Sequence, residues 1–436
     1  MWVPVIICCI TCVLMICSIL FFPKLKIGKI SLDTYWLITI VGAIFALIFG
    51  GADIAKVGQA LIADTAINPL KILVLFISMT ILSIYLDELG FFRFLANVAL
   101  KRAKTGQKKL FLYLYITVSV LTVFTSNDII ILSFTPFICY FAKNAKINPI
   151  PYLAAEFVAA NTWSMALIIG NPTNIYLATA SGIGFLEYVK YSIFPTIFAG
   201  LVAFGALFLI FRKKLKEPMQ AEAETVVIED KLSLWVGIVH LAVCTVLLAI
   251  SSYVGIQMWL VAICSAGSLF IFTAVIAIVR KKKPTHLLGC LKRTPYQLIP
   301  FVLSMFVMIV VLADAGATEI IADVMGADLP ILKYGVSSFF ASNLINNIPM
   351  SVLFSSIIEA SGGTAGIPAI FATVIGSNVG AFFTPIGALA GIMWGAIIGK
   401  HETKFGYLDF LKIGVTVALP TLFAALGGLW IAVSVF

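Results

Sequence analysis

Charge is scarce in this chain. Of its 436 residues only 11% are charged, and histidine occurs three times, whereas a soluble domain is about 25% charged. Apolar residues make up 61%, more than a soluble chain of this length could keep from water. Disorder and a cytosolic enzyme are excluded on that ground, and the composition is that of an integral membrane protein. A disulfide scaffold is also missing. Cys8, Cys9, Cys12, Cys17, Cys139, Cys244 and Cys264 fall inside apolar runs, where a free thiol acts as a small hydrophobe, and Cys290 is expected in a basic loop. The 8–17 cluster lacks a His/Cys ligand set for a soft metal, so no metal site and no cofactor are expected. Neither a nucleophile–base pair nor metal-ligand spacing appears in the spans, and no enzyme is expected. The net charge of +9 does not point to nucleic acid either, because the lysines and arginines cluster between apolar runs as they do in cytoplasmic loops.

A span needs about 20 apolar residues. Spans are predicted at 2–22, 34–50, 70–86, 188–211, 232–253, 256–279, 298–313 and 410–436. The first lacks the basic leading segment of a signal peptide and is read as a span that stays. Four stretches, 110–142, 152–182, 330–360 and 367–399, are too long and carry polar residues in their middle. Each would run about 45–50 Å as one helix against a core of about 30 Å. If 110–142 and 330–360 are re-entrant hairpins and the other two cross, all of the 29 lysines and arginines except Lys56, Lys71, Lys190 and Lys333 lie on one side. That side is the cytoplasm, which puts the N-terminus outside.

The expected organisation follows. Residues 1–213 form a first repeat of three spans, a hairpin (110–142), a broken span (152–182) and a last span (188–211). Residues 214–231 form a cytoplasmic linker with Glu217, Glu222, Glu224, Glu229 and Asp230. The same order recurs in 232–436, with hairpin 330–360, broken span 367–399 and last span 410–436. An odd number of crossings in the first repeat inverts the second. The fold class expected is an all-α polytopic membrane protein of two inverted repeats, each with a re-entrant helical hairpin and a broken transmembrane helix, which is the plan of a secondary transporter. Its place is the cell membrane, multi-pass, and its surroundings the lipid bilayer.

Helices break inside a membrane only within protein or beside water. The breaks are predicted at Thr125-Ser126-Asn127-Asp128, followed by Thr135-Pro136; at Gly170-Asn171-Pro172-Thr173-Asn174; at Ser342-Asn343-Leu344-Ile345-Asn346-Asn347-Ile348-Pro349; and at Gly376-Ser377-Asn378 with Thr384-Pro385-Ile386-Gly387. Gly170, Pro172, Pro349, Gly376, Pro385 and Gly387 are the expected helix stoppers. The candidate solute- and ion-binding side chains are Thr125, Ser126, Asn127, Asp128, Asn171, Thr173, Asn174, Ser342, Asn343, Asn346, Asn347, Ser377, Asn378 and Thr384. Ser, Thr and Asn cap half-helix N-termini, whose free N–H groups favour electron-rich ligands; freed carbonyls hold cations. Capping of bent helices alone would use the same residues.

Asp128 is the sharpest of them, since an ionisable group within a span is functional by default; the alternative is a carboxylate N-cap. Glu156 reads either as a proton relay or as a cytoplasmic-end residue paired with a lysine, the second being the simpler expectation. Asn161, Thr162 and Ser164 approach the Asn171 break on the same span. His240 reads as a packing residue, and Asp314, Glu319, Asp323 and Asp328 as an acidic external surface.

At these breaks the chain resembles the ion transporter superfamily, most closely its arsenite efflux pump branch (arsenical pump membrane proteins). The likeness covers nearly the whole length. It is most specific at Ser342-Asn343-Leu344-Ile345-Asn346-Asn347-Ile348-Pro349-Met350 and Thr384-Pro385-Ile386-Gly387-Ala388-Leu389, and extends from Trp394 to Pro420; Asn127-Asp128 with Thr135-Pro136 match the first hairpin. Arsenite pumps tend to carry Ser-Asn where this chain has Gly170-Asn171-Pro172-Thr173, while Asn174 is kept. Sodium–dicarboxylate carriers usually show Ser-Asn-Thr at both tips, where this chain has Asp128 and Leu344 in third place. The resemblance implies hairpin tips facing one substrate site, an elevator-like movement, and efflux of arsenite, antimonite or a similar small inorganic or organic anion. H+ or Na+ would be the coupling ion, with Asp128 carrying or gating the proton. Sodium/proton antiporters and dicarboxylate or citrate carriers are the related branches. A homodimer and, for an arsenite pump, a soluble ATPase partner are compatible with it.

Overall fold

The computed structural model describes residues 2–27, 30–63, 68–103, 106–219, 227–401, 403 and 405–436; Lys29, Lys104, Glu222, Glu224 and Lys404, used in the charge argument, lie outside the described residues. The fold is nearly all helical. From the start run α1 (Trp2–Phe21), an antiparallel strand pair β1 (Lys24–Ile27) and β2 (Ile30–Asp33), α2 (Thr34–Phe49), α3 (Ile54–Ile62), α4 (Pro69–Glu88), α5 (Phe91–Ala103), α6 (Gln107–Phe124), α7 (Asn127–Asn144), α8 (Ile150–Trp163), α9 (Pro172–Ala180) and α10 (Phe185–Phe211). After residue 230 come α11 (Lys231–Val254), α12 (Met258–Val279), α13 (Thr285–Arg293), α14 (Leu298–Asp314), α15 (Ala317–Met325), α16 (Pro330–Ile345), α17 (Asn347–Ala360), α18 (Gly366–Gly380), α19 (Leu389–Lys400) and α20 (Tyr407–Val435). Among the described residues eight helices are long and apolar enough to cross a membrane. The predicted spans correspond to α1, α2, α4, α10, α11, α12, α14 and α20, with ends shifted by a few residues. The long stretches are divided: α6/α7 and α16/α17 turn at Ser126 and Asn346, while α8/α9 and α18/α19 are interrupted.

Much of the helix packing recurs when the two halves are exchanged. α1 lies on α2 as α11 lies on α12; α2 packs on α14 as α12 packs on α4; α6 on α8 as α16 on α18; α8 on α10 as α18 on α20. The crossed pairs are α7 on α19 and α17 on α9, and α10 packs on α20. The short helices obey the same exchange. α3 lies against α14 and α13 against α4, each fastened by an ion pair to the far end of the other half's span: Lys56 to Asp314, and Arg293 to Asp87 at 2.5 Å and to Glu88 at 2.8 Å.

Polarity is distributed for a bilayer. Large apolar side chains such as Val13, Leu201, Ile271 and Trp430 face outward, and Asn161, Thr162, Ser164, Asn174, Ser342, Ser377 and Asn378 are buried. Lipid offers a polar group no partner, so the amides and hydroxyls turn inward to each other. His240 bonds Val236 O and stacks edge-on against Phe272, as a packing residue does. Asp314, Glu319, Asp323 and Asp328 are exposed. Cys290 is not in a loop: it lies buried in α13.

Candidate functional site

The first hairpin turns where Thr125, with extended backbone, leaves α6 and Ser126 becomes the N-cap of α7. Thr125 Oγ1 bonds back to Leu121 O at 2.8 Å. Asp128 is therefore not a capping carboxylate; it is the second residue of α7, half-buried, near the positive end of the helix. No hydrogen bond or ion pair joins it to any of the described residues.

The first broken span opens earlier than predicted. α8 stops at Trp163, two single 3-10 turns (Ser164–Ala166 and Ile168–Gly170) follow, and α9 begins at Pro172, with Asn171 Oδ1 accepting from the Thr173 N–H at 3.2 Å. Pro172 takes the first helical position, where its missing N–H has no cost. Gly170 is needed because a Cβ there would overlap the Ser164 carbonyl.

Two predicted stoppers in the second half prove to be helical. Gly376, Ser377 and Asn378 lie inside α18, which runs to Gly380, and the interruption is 381–388, containing Thr384, Pro385 and Gly387. Gly376 serves close packing instead: a Cβ would strike Ser338 Oγ and the Gly335 carbonyl of α16. Pro349 likewise does not break its helix, since it sits in the first turn of α17, where proline is tolerated. The turn itself is Asn346 at φ +72°, a backbone region that asparagine enters more readily than most residues.

These breaks form two polar clusters. In the first, Asn378 is the hub. Its Oδ1 accepts from Ser164 Oγ at 2.8 Å and from Asn171 Nδ2 at 3.0 Å, and its Nδ2 donates to Asn174 Oδ1 at 2.7 Å and to Val374 O at 2.8 Å. Asn174 Nδ2 donates to Ser164 O, Ser164 Oγ also to Asn161 O, and Asn127 Nδ2 to Asn161 Oδ1 at 3.0 Å. The second cluster joins hairpin α16/α17 to residues 380–387. Asn343 Nδ2 donates to Phe339 O and Gly380 O, Thr384 Oγ1 donates to Asn343 Oδ1 at 2.6 Å, Asn346 Nδ2 to Ile386 O, and the Asn347 N–H to Gly387 O. Ser342 Oγ bonds Phe339 O within its own helix. α18 carries the hub of the first cluster and, at Gly380, the edge of the second.

Five buried oxygens at these breaks, Ser126 Oγ, Asn127 Oδ1, Thr162 Oγ1, Thr173 Oγ1 and Ser377 Oγ, have no hydrogen-bond partner among the described residues. Hydroxyls both donate and accept, so each of the four hydroxyls can meet either a polyol hydroxyl or a hard cation, and the Asn127 oxygen can accept from the first or ligate the second. Glu156 differs from its simpler expectation: it is 1% exposed and has no lysine partner among the described residues, accepting instead from Thr135 Oγ1 at 2.8 Å and Trp394 Nε1 at 3.3 Å. Thr135 and Trp394 were not among the candidate site residues, because neither shows in sequence which carboxylate it will meet.

A polytopic helical bundle whose helices are interrupted around buried amides is the architecture of a membrane transporter. The chain belongs to the citrate transporter family (CitMHS), whose model matches residues 27–376. Among curated proteins it is similar to an arsenical pump membrane protein of Escherichia coli, 28% identical over 97% of each chain. It is also similar to a putative arsenical pump membrane protein of Bacillus subtilis, 24% identical over 90% of this chain and 93% of that one. A crystal structure of the Alcanivorax borkumensis YdaH transporter shares the fold, with a TM-score of 0.59, 14% identity and 99% coverage of both chains.

Proposed function

We propose that this transporter exports arsenite or antimonite, driven by the proton gradient, with Asp128 as the coupling carboxylate. The observation that carries the reading is the chemistry of the breaks. Segments 125–128, 161–174, 342–349 and 376–388 contain asparagine, serine and threonine but no lysine or arginine. Asp128 at the hairpin tip would repel a citrate or dicarboxylate anion. Arsenite at neutral pH is largely the uncharged trihydroxide, which amides and hydroxyls match donor for acceptor. The names of the arsenical pump relatives support the same solute.

In this reading the two halves are inverted repeats, with the N-terminus outside and the linker cytoplasmic. The ion pairs agree with that sidedness: Lys56 with Asp314 and Lys333 with Asp328 fall on the external face, and Arg293 with Asp87 and Glu88, and Arg280 with Asp230, on the cytoplasmic one. A sodium/proton antiporter is the second reading, favoured by the unpartnered Ser126, Asn127 and Thr162 oxygens, which are hard ligands of the kind sodium takes.

Everted vesicles with an imposed proton gradient, given arsenite, sodium and citrate side by side, test the reading. Arsenite accumulation that collapses with an uncoupler is expected. Sodium-driven pH change without arsenite movement supports the antiporter, sodium-stimulated citrate uptake a carrier of organic anions, and arsenite flux indifferent to uncoupler and gradient a passive channel.

A further inference from the structure

We propose that Glu156 is a second proton-binding site, loaded from a cleft between the end of α7 and the segment after α19. Its role in transport rests on the proton-coupled reading above; the binding of the proton does not.

One carboxyl group bridges three elements from both halves. Glu156 on α8 accepts from Thr135 on α7 and from Trp394 on α19. Both donors are neutral, and no lysine, arginine or histidine among the described residues pairs with it. A carboxylate buried in a membrane segment without a cation is costly and by default functional. An aromatic wall closes one side, with ring centroids of Phe157 and Trp394 5.1 Å apart, Phe157 and Phe410 5.6 Å, and Trp394 and Phe405 5.5 Å.

On α7 a cleft lies one turn beyond Thr135. Cys139 stands one turn beyond Thr135 on α7, on the same face by helical spacing. With Lys143, Asn148, His401 and Thr403 it lines a cleft of about 370 Å³, whose rim residues Lys143 and His401 are exposed. Charged side chains on the elements packed around Glu156 stand near helix ends: Lys108 and Lys109 on α6, Asp128 and Lys143 on α7, Glu187 and Lys190 on α10. Lys400 closes α19, Asp409 and Lys412 lie in the first two turns of α20, and α18 carries none. Cys139 is the titratable group of α7 facing it.

The proton step needs no other reactant. A proton entering through the cleft binds one carboxyl oxygen, and the Thr135 hydroxyl turns from donor to acceptor. The ionised form accepts from both Thr135 and Trp394 and ties α7 to α19. The protonated form is a weaker acceptor for the indole, so protonation loosens the contact between the first hairpin and the second broken span.

The test treats the purified full-length protein in lipid with dicyclohexylcarbodiimide, which reacts with protonated carboxyls in apolar surroundings, and reads adducts by peptide mass spectrometry. An adduct on Glu156, scored apart from Asp128, is expected to rise as pH falls from 8 to 5, by about tenfold per unit above its midpoint. No adduct at any pH, or one independent of pH, overturns the proposal. In vesicles, Glu156→Gln is expected to keep arsenite exchange at equal concentrations while losing uphill accumulation at least tenfold, with recovery in Glu156→Asp. Uphill transport by Glu156→Gln with an unchanged pH profile also overturns it. If the unaltered protein moves no arsenite, the solute reading fails and the labelling still decides Glu156.

Discussion

The two polar clusters are held by different bonds. Around Asn378, side chains bond to side chains and the partners come from both halves: Asn378 from the second, Ser164, Asn171 and Asn174 from the first. Around Asn343 and Asn346 the partners are chiefly main-chain carbonyls at 339, 380 and 386, all within the second half. The second cluster is a cradle folded by one half alone, and the first is a joint. Relative movement of hairpin α16/α17 and α18 would break backbone-anchored bonds, so those elements are expected to travel together, with the Asn378 joint fastening the first broken span to the same body.

Substitutions can break or sharpen this contrast. The largest effect is expected for Asp128→Asn, which should reduce uphill arsenite accumulation in everted vesicles at least a hundredfold and leave exchange at equal concentrations in place; unchanged accumulation would remove Asp128 from coupling. Next comes Asn378→Ala. It strands Asn171 Nδ2 and Asn174 Oδ1, while Ser164 Oγ keeps Asn161 O, and at about 1 kcal/mol per stranded buried group, the low end that membrane proteins show, destabilisation of roughly 2–3 kcal/mol is expected in reversible denaturation from mixed micelles. Asn343→Ala should cost less, about 1–2 kcal/mol, since Thr384 keeps a hydroxyl that can turn to a carbonyl. Equal losses would erase the distinction.

The smallest effect lies outside the membrane. Asp230 caps α11 and receives Arg280 at 2.8 Å. Burial raises its carboxyl, but bonds from Ser233 and Arg280 outweigh that and bring it down to about 2. A depressed carboxyl stabilises above its unfolded value near 4 and loses the contribution as pH falls toward 2. The stability gap between the unaltered protein and Asp230→Asn, which keeps a capping oxygen but loses the charge facing Arg280, is about 0.5–1 kcal/mol and should therefore be constant from pH 8 to 5 and close only in strong acid.

Much of the fold was legible because the bilayer demands long apolar runs: α1, α10 and α11 could be read from composition alone. The short helices α3, α5, α13 and α15, 9–13 residues each, and the β1/β2 pair were not, because a 20-residue apolar window passes over an amphipathic turn or two. Asn127, Asn171, Asn174, Asn346 and Asn378 were legible as unusual polar residues in apolar surroundings. The role of Gly376 was not, since a glycine that ends a helix and one that admits a neighbouring helix are the same letter, and the close approach of α16 at Ser338 and Gly335 distinguishes them. Glu156 was misjudged because the identity of its partners depends on α7 and α19 meeting across the two halves.

The joint between the halves is tested most directly by a double-mutant cycle on Asn174 and Asn378, with Asn174 and Asn343 as the control pair, read as unfolding free energies of the protein in lipid–detergent micelles. The hydrogen bond of 2.7 Å that Asn378 Nδ2 donates to Asn174 Oδ1 predicts coupling of about 1 kcal/mol for the first pair and additivity within about 0.3–0.5 kcal/mol for the second. Additive losses at Asn174 and Asn378 would contradict the account.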